Sequence, residues 1–408
     1  MVKALFIIFF LFISGCIFNP HGTDTTTNCD FLGGCYSEDG GNQSDCDLYS
    51  GETDPTRFGS GTPGDPHLIY SANQLNSISN TAAYVTESYT VMCDLDLSSI
   101  GNFNPIGDST NNYVGTFDGN NKTISNLTIS STGTSVGFIG YASGATIQNV
   151  RLTNVSVTST QFEVGGIVGF STAGTISDCS VSGGTVQGYS YVGSIVGEIQ
   201  SGTDVTRAWA TSNVNCTGTA GGHGKCGGLI GGQSTGSSTI SSVYYNGSVT
   251  DTSGGGTTTG FGGIAGRIAN TTTITDGYAE GTVYGEEEVG GIVGAFSTNS
   301  VLTNVFSLVD VTCNTCSYVS EILGSYSNDA DSGTIISNSY YLDEVDDATT
   351  CYTYHTTVPA VGASSDGVGN CESQTTLSDY YNSANEPMNS WSDGKWSFSG
   401  TGLPTLTE

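Results

Sequence analysis

Basic residues are almost missing from this chain. It has 8 Lys and Arg among 408 residues, against 38 Asp and Glu, for a formal charge of −30. A surface so poor in cations cannot neutralise phosphates, which excludes nucleic-acid binding as an activity. Charged residues of both signs make up only 11% of the chain, so the imbalance comes from absent lysine and arginine as much as from added carboxylates. Proline is scarce too, at 8 residues. Glycine, at 59, is abundant enough to exclude a helix-rich chain, because each interior glycine costs a helix about 1 kcal/mol relative to alanine. It still falls far short of the one residue in three that collagen requires.

The N-terminus reads as an address. Lys3 precedes the apolar run Ala4 to Ile13, followed by Ser14, Gly15 and Cys16. This run is too short to span a bilayer comfortably and has the layout of a secretory signal. Ile13-Ser14-Gly15-Cys16 resembles a lipobox, which implies a signal peptide over residues 1–15 and a lipidated Cys16 tethering the mature chain to a membrane. An exported chain keeps disulfides. Residues 16–60, with Cys29, Cys35 and Cys46 in a Gly/Asp/Ser/Asn-rich stretch, read as a stalk or linker without its own core.

Repetition dominates the rest. A glycine-flanked apolar motif recurs at Val136–Gly140, Val164–Gly169, Val192–Gly197, Cys226–Gly231, Phe261–Gly266 and Val289–Gly294, with a worn copy at Val319–Gly324. Between the closing glycines the steps are 29, 28, 34, 35, 28 and 30 residues. A step of 28 fits heptads, but Gly, Thr, Ser and Val fill the heptad positions and disqualify a coiled coil. Within each unit the pattern alternates apolar and polar, as in Thr175–Gly183, so each unit supplies short strands joined by glycine turns. The spacing matches one coil of a β-solenoid.

These motifs resemble the GLUG repeat family. Pro105–Gly107, Gly115–Ile124 and Asn126–Ile129 look like the opening coil that precedes such repeats. The resemblance covers residues 60 to 408 and implies an all-β, right-handed parallel β-helix, here of about nine to ten coils, on an exported surface protein. It divides the chain into opening coils at 61–135, GLUG repeats at 136–342, and a C-terminal insertion and cap at 343–408. In the cap, Trp391, Trp396 and Phe398 would plug the last open coil. GLUG repeats accompany some bacterial immunoglobulin-cleaving metalloproteases, but His-Glu-x-x-His, the zinc motif of those enzymes, is absent from this sequence.

Aligned coils give columns with physical meaning. Asn149, Asp178, Arg207, Ser242, Asp276, Asn304 and Asn338 form a polar column that reads as a structural corner. The next position, Val150 to Ser339, is small or branched and places Cys179 in the core as an unreactive thiol. The other cysteines then pair: Cys216 with Cys226, Cys313 with Cys316, and Cys351 with Cys371. Cys29, Cys35, Cys46 and Cys93 form two more bridges, whose pairing stays open. Beside the core column run Trp209, Tyr244, Tyr278, Phe306 and Tyr340, preceded by Arg151 and Ser180. Strand alternation turns these rings outward, where they serve either as a ladder covered by loops or as a platform for sugar rings, the candidate binding face.

No catalytic constellation stands out. Arg151, Arg207, Lys225 and Arg267 fall in unrelated columns, with no acid cluster at matching positions. Asp94 and Asp96 read as structural, and His21, His67, His223 and His355 lack metal-ligand spacing. The acidic runs Glu286–Glu288 and Asp343–Asp347 are candidate calcium sites that read more naturally as solvated charge, so no cofactor or metal is assigned. The expectation is a lipid-anchored, extracytoplasmic, non-enzymatic surface protein. It would mediate adhesion or recognise surface glycans or proteins of a host or neighbouring cell. A polysaccharide lyase or hydrolase and a passive envelope component are the alternatives.

Overall fold

The computed structural model describes residues 27–29, 35–37, 43–79, 82–218, 224–253, 260–296, 300–313, 316–326, 335–342, 351–354, 371–374, 376–391 and 394–407. The chain is nearly all β and has the parallel-sheet stacking of a β-helix. Three sheets of 16, 6 and 8 strands run its length. The first takes one long segment from each coil, such as Thr175–Gly188, Thr239–Asp251, Thr273–Gly285 and Val301–Cys313. The second takes the Val-Gly segments, from Phe162–Gly165 to Tyr318–Ser320, and the third takes the following Val-Gly-x segments, among them Val168–Thr172 and Val196–Gln200.

Register is strict. Ile147 pairs with Ile176, Ile176 with Val205, Val205 with Ile240, Ile240 with Ile274 and Ile274 with Leu302, always in parallel. Each of these side chains is buried, so every column forms a continuous apolar stripe inside the coil. The closing glycines set how closely the coils approach. A Cβ added at Gly197 would sit 2.5 Å from the Val164 amide nitrogen, and at Gly169, Gly231, Gly266 and Gly294 the preceding coil's backbone is closer still. Real Cβ contacts of that length do not occur, so the motif's glycines are required by backbone-on-backbone stacking. Large residues are matched to gaps: Tyr245 lies wholly inside, its hydroxyl donating to the Ser212 carbonyl at 2.9 Å, with its ring seated over Gly228.

The N-terminal end departs from the expected boundary at residue 60. Helix α1 (Gln43–Leu48) is bound to the opening coil by the Cys46–Cys93 disulfide, with 5.8 Å between Cα atoms. Tyr49, Phe58 and Tyr70 pack ring to ring at 4.8–5.3 Å and join the solenoid core. Helix α2 (Ala72–Ser79) is N-capped by Ser71, whose hydroxyl accepts from the Gln74 amide at 3.1 Å, and it buries Leu75 and Ile78. Residues 45–58 are thus part of the packed end of the coil stack rather than a coreless stalk. Cys16 and the apolar run before it lie outside the described residues.

At the other end the cap is not a plug. The segment from Tyr380 to Leu406 lies along the outer face of the first sheet and packs on the ring column in a second apolar cluster, separate from the solenoid interior. Tyr380 stacks on Phe306 with centroids 4.4 Å apart, Trp391 lies 5.9 Å from Phe306, and Trp396 contacts both Tyr244 and Tyr278 at 6.1 Å. Two hydrogen bonds fix its position: Trp391 Nε1 donates to the Asn304 carbonyl and Tyr278 Oη to the Pro404 carbonyl, each at 2.9 Å. The physical reason is area. A strip of outward rings is an extended apolar surface, and aromatic segments lower the free energy by covering it.

Cys216–Cys226 and Cys313–Cys316 are disulfides, Cys351 is disulfide-bonded, and Cys179 is a buried free thiol. The side chains of Cys29, Cys35 and Cys371 lie outside the described residues. Burial pushes the Cys179 thiol from its usual value near 9 up to about 12, and burial likewise raises Tyr89, Tyr113, Tyr245, Tyr278 and Tyr380.

Phe306→Ala should cost about 3–5 kcal/mol, because it opens a cavity between ladder and cap. Thermal denaturation should show the loss and limited proteolysis should release the C-terminal segment first; an unchanged melting temperature would refute the packing account. Alkali should act separately. The buried thiol and phenols stay protonated when folded but ionise when unfolded, so the unfolded state gives up protons first as pH rises. Stability should therefore decline from about pH 9 toward pH 12 in a melting series. Peptide mapping with a thiol reagent at pH 8 should find Cys179 unmodified until denaturant is added.

Candidate functional site

The corner that borders the first sheet is built by conformation. Asn149, Asp178, Arg207, Ser242, Asp276, Asn304 and Asn338 all adopt left-handed backbone, with φ between 48° and 57°. Asn and Asp tolerate this conformation best, and their side chains bond up the stack. Asn338 donates to Asn304 and Asn304 to Asp276, each at 2.9 Å. Asn149 and Gln148 both donate to the Asp118 carboxylate, at 2.9 and 2.8 Å. Arg207 interrupts the run of short side chains and instead forms a fork on Asp178, with Nε and Nη2 each 2.6 Å from a carboxylate oxygen.

Next to this corner stands the ring ladder. Trp209, Tyr244, Tyr278 and Phe306 stack at 5.5, 5.2 and 4.8 Å with interplanar angles of 2°, 4° and 1°. The expected binding face is largely closed: Tyr244, Tyr278, Phe306 and Tyr340 are buried under the cap, with 9%, 3%, 0% and 6% exposure. Only Trp209, at the N-terminal end of the ladder, remains half-exposed. Beyond it in the same column the rings give way to Ser180 and then Arg151, in register with Thr123.

Where the ladder emerges there is a small cleft of about 90 Å³. Its floor and walls are Trp209, Ser180, Asn149, Asp178, Arg207 and Arg151, and the cap adds Lys395, Leu406 and Thr407 from the far side, with Asn121 at the rim. Arg151 reaches Asn121 with an Nη2–Oδ1 bond of 3.1 Å. Among the described residues, the cations Arg151, Arg207 and Lys395 and the carboxylate of Asp178 line this cleft. At about 90 Å³ it is well below the several hundred Å³ of a pocket that engulfs a small molecule. It suits one polar substituent of a ligand whose body lies outside, over the indole.

A second polar group, on another face, corrects the sequence reading of the bases. Arg151 and Arg207 share the cleft beside Trp209. Lys225 meets a tyrosine and Arg267 an acid. Lys225 Nζ lies 4.1 Å from the Tyr191 ring centre and donates to its hydroxyl, while Arg267 Nη1 is 3.6 Å from Glu288 Oε2. Glu198, 4% exposed, accepts from Gln200 at 2.8 Å and from Ser234, and Glu163 accepts from Ser135. Burial, then the charge of Glu198, pushes the Glu163 carboxyl up; burial, then Arg267, lowers the Lys225 ammonium. The missed signal is positional. Glu163, Tyr191, Lys225 and Glu288 each directly precede the aligned residues Val164, Val192, Cys226 and Val289, so they stack on one corner. Glu288 is therefore buried against Arg267 and is not part of a solvated acidic run, although Glu286 and Glu287 are half-exposed.

The remaining candidates are structural where they are described. Asp94 accepts from the Thr123 amide at 2.7 Å and Asp96 from Asn126 Nδ2 at 2.8 Å, extending the corner ladders into the opening coils. The bonds from Asn126 and Ser98 hold the Asp96 carboxyl below its usual value. His67 is buried, with Nδ1 3.2 Å from the Phe58 carbonyl. His21, His223, His355 and Asp343–Asp347 lie outside the described residues. Among the described residues no three His, Cys, Asp or Glu side chains are grouped to hold a metal ion.

Comparison with known proteins places these features. Residues 160–187 match the GLUG motif. Over 152 residues, 35% of this chain, the sequence is 37% identical to Halomucin of Haloquadratum walsbyi, of whose length the match covers 2%. In three dimensions the chain is similar to the crystal structure of a proposed immunoglobulin A1 protease from Bacteroides ovatus, with a TM-score of 0.57 and 19% identity over 85% of this chain and 94% of that one. At that identity the likeness is one of fold. The chain thus carries a GLUG motif within a β-solenoid fold already seen in a solved structure.

Proposed function

We propose that this chain is an exported surface protein, a right-handed β-helix of nine to ten coils tethered through Cys16, that recognises glycans or partner surfaces without catalysis. The observation that carries the reading is the half-exposed Trp209 indole at the open end of an otherwise covered ring stack, set beside a polar cleft. An indole face pairs with the apolar side of a pyranose, and the surrounding amides, hydroxyls and cations supply hydrogen bonds to its substituents. The disulfides at Cys46–Cys93, Cys216–Cys226 and Cys313–Cys316 fit a location outside the reducing cytosol. The GLUG motif and the partial likeness to Halomucin add support for a surface setting.

The binding face proposed is accordingly narrower than the whole column. Tyr278 and Phe306 hold the cap, so their loss would disturb folding before it disturbed recognition. The test is a glycan array probed with the full exported chain and with Trp209→Ala. Binding to a defined set of glycans should weaken at least tenfold in the variant, with its melting curve close to that of the parent. An array with no binding, together with cell adhesion unaffected by Trp209→Ala, would leave a passive envelope role. Release of reducing or unsaturated sugar ends from a polysaccharide would establish the enzymatic alternative instead.

A further inference from the structure

Asparagine serves the solenoid corners in a second way besides the ladders. The triplet Asn-x-Ser/Thr, with x other than proline, begins at Asn42, Asn121, Asn126, Asn154, Asn215, Asn246 and Asn270. Asn42 lies outside the described residues. In an exported chain this triplet is the acceptor for an N-linked saccharide. We infer that the exposed positions Asn121, Asn154, Asn246 and Asn270 carry N-linked glycans and that the half-buried Asn126 and Asn215 do not. The proposal rests on the export reading and adds a covalent modification to it.

Room in the finished fold is the first reason. A sugar ring attached at Nδ2 is too wide to lie between coils about 4.8 Å apart, so the nitrogen must face open solvent. Asn121, Asn154, Asn246 and Asn270 are exposed. Asn121, Asn154 and Asn270 also take left-handed backbone, with φ of 56°, 54° and 63°, as residues at an outward turn do. Asn126 shares that conformation, but its amide is enclosed in the stack. Its Nδ2 donates to Asp96 at 2.8 Å and its Oδ1 accepts from Asn154 at 2.7 Å. Asn215 lies within a strand, flanked by Gln187 and Thr250 of the neighbouring coils and followed by the disulfide-bonded Cys216.

The second reason is that the ladder and a glycan do not compete. A side-chain amide has two N–H hydrogens. Asn154 uses one toward Asn126 and Asn246 uses one toward Glu280 Oε2, each at 2.7 Å. Each therefore keeps a second hydrogen on an exposed nitrogen. Transfer from a lipid-linked saccharide phosphate replaces it: Nδ2 bonds to C1 of the sugar, the bond from C1 to the phosphate oxygen breaks, the phosphate leaves with the electron pair, and the amide gives up one proton. The remaining N–H still makes the ladder bond, so the corner need not open. Asn154 and Asn246 stand on one corner three coils apart, about 14 Å, so their two saccharides line a single edge of the rod.

The experiment is intact-mass measurement and glycopeptide mapping of the chain recovered from the surface of the cells that make it, beside the variants Ser156→Ala and Ser156→Thr. The parent should yield glycopeptides at Asn121, Asn154, Asn246 and Asn270. Ser156 is exposed, and Ser156→Ala leaves Asn154 and its ladder bond in place while removing the triplet. Its intact mass should fall by one saccharide and Ser156→Thr should restore it, with both melting curves close to that of the parent. Surface chain in which all these peptides have the mass of their bare sequence would overturn the proposal and leave the export reading in place. Sugar confined to Ser or Thr, or found on Asn126 or Asn215 with Asn154 and Asn246 bare, would overturn it as well. Unmodified chain found only inside the cell would remove both readings.

Discussion

Everything in this molecule depends on how closely one coil lies on the next. Parallel strands in adjacent coils must sit at hydrogen-bonding distance, about 4.8 Å, and in the third sheet even a Cβ is too much: one added at Gly169, Gly197, Gly231, Gly266 or Gly294 would collide with the backbone of the previous coil. Once that spacing is fixed, every side chain repeats directly above its equivalent. Columns of isoleucine and valine then fill the interior, and the asparagines of the corner bond to their own kind. The same spacing sets the rings of Tyr244, Tyr278 and Phe306 nearly parallel, at 5.2 and 4.8 Å.

The features of the candidate site arise where the repetition is broken. Arg207 replaces a short corner residue, Ser180 and Arg151 end the ring column, and Lys225 comes after an expanded segment. Each break puts a side chain of different size or charge beside a regular stack that holds it in place. In the Lys225 group this locks coils together through Tyr191, and Arg267 locks them through Glu288. Around Trp209 it leaves a cleft instead, to which Lys395, Leu406 and Thr407 contribute among the described residues of the cap.

Much of the fold was legible in the sequence, for a physical reason. In a solenoid, residues one period apart are neighbours, so aligning Ile147, Ile176 and Val205 amounts to reading contacts directly. The polar corner column, the buried Cys179 and the outward rings derive from such columns together with strand alternation. What escaped is whatever has no period. The cap carries no repeat register, so nothing in Trp391 or Trp396 says whether they plug an end or lie along a side. The cleft joins Arg151 to Lys395 across most of the solenoid, and no spacing rule links them. Tyr49 and Phe58 were hidden for the same reason, being isolated rings in a polar stretch. The pairing of Lys225 with Tyr191 was available in principle, one position before an aligned apolar column, but a basic residue beside a tyrosine is not a pattern that alternation flags.

The placement of the cap also gives the molecule a direction along the chain. The Pro404 carbonyl that receives the Tyr278 hydroxyl belongs to nearly the last residues of the chain, while the ladder belongs to its middle. The cap follows the ladder in sequence, so the strip of rings precedes the segment that covers it. Without the segment from Tyr380 onward this aromatic stripe would lie on the surface, whereas with it Tyr244, Tyr278, Phe306 and Tyr340 are buried and Trp209 stays partly exposed.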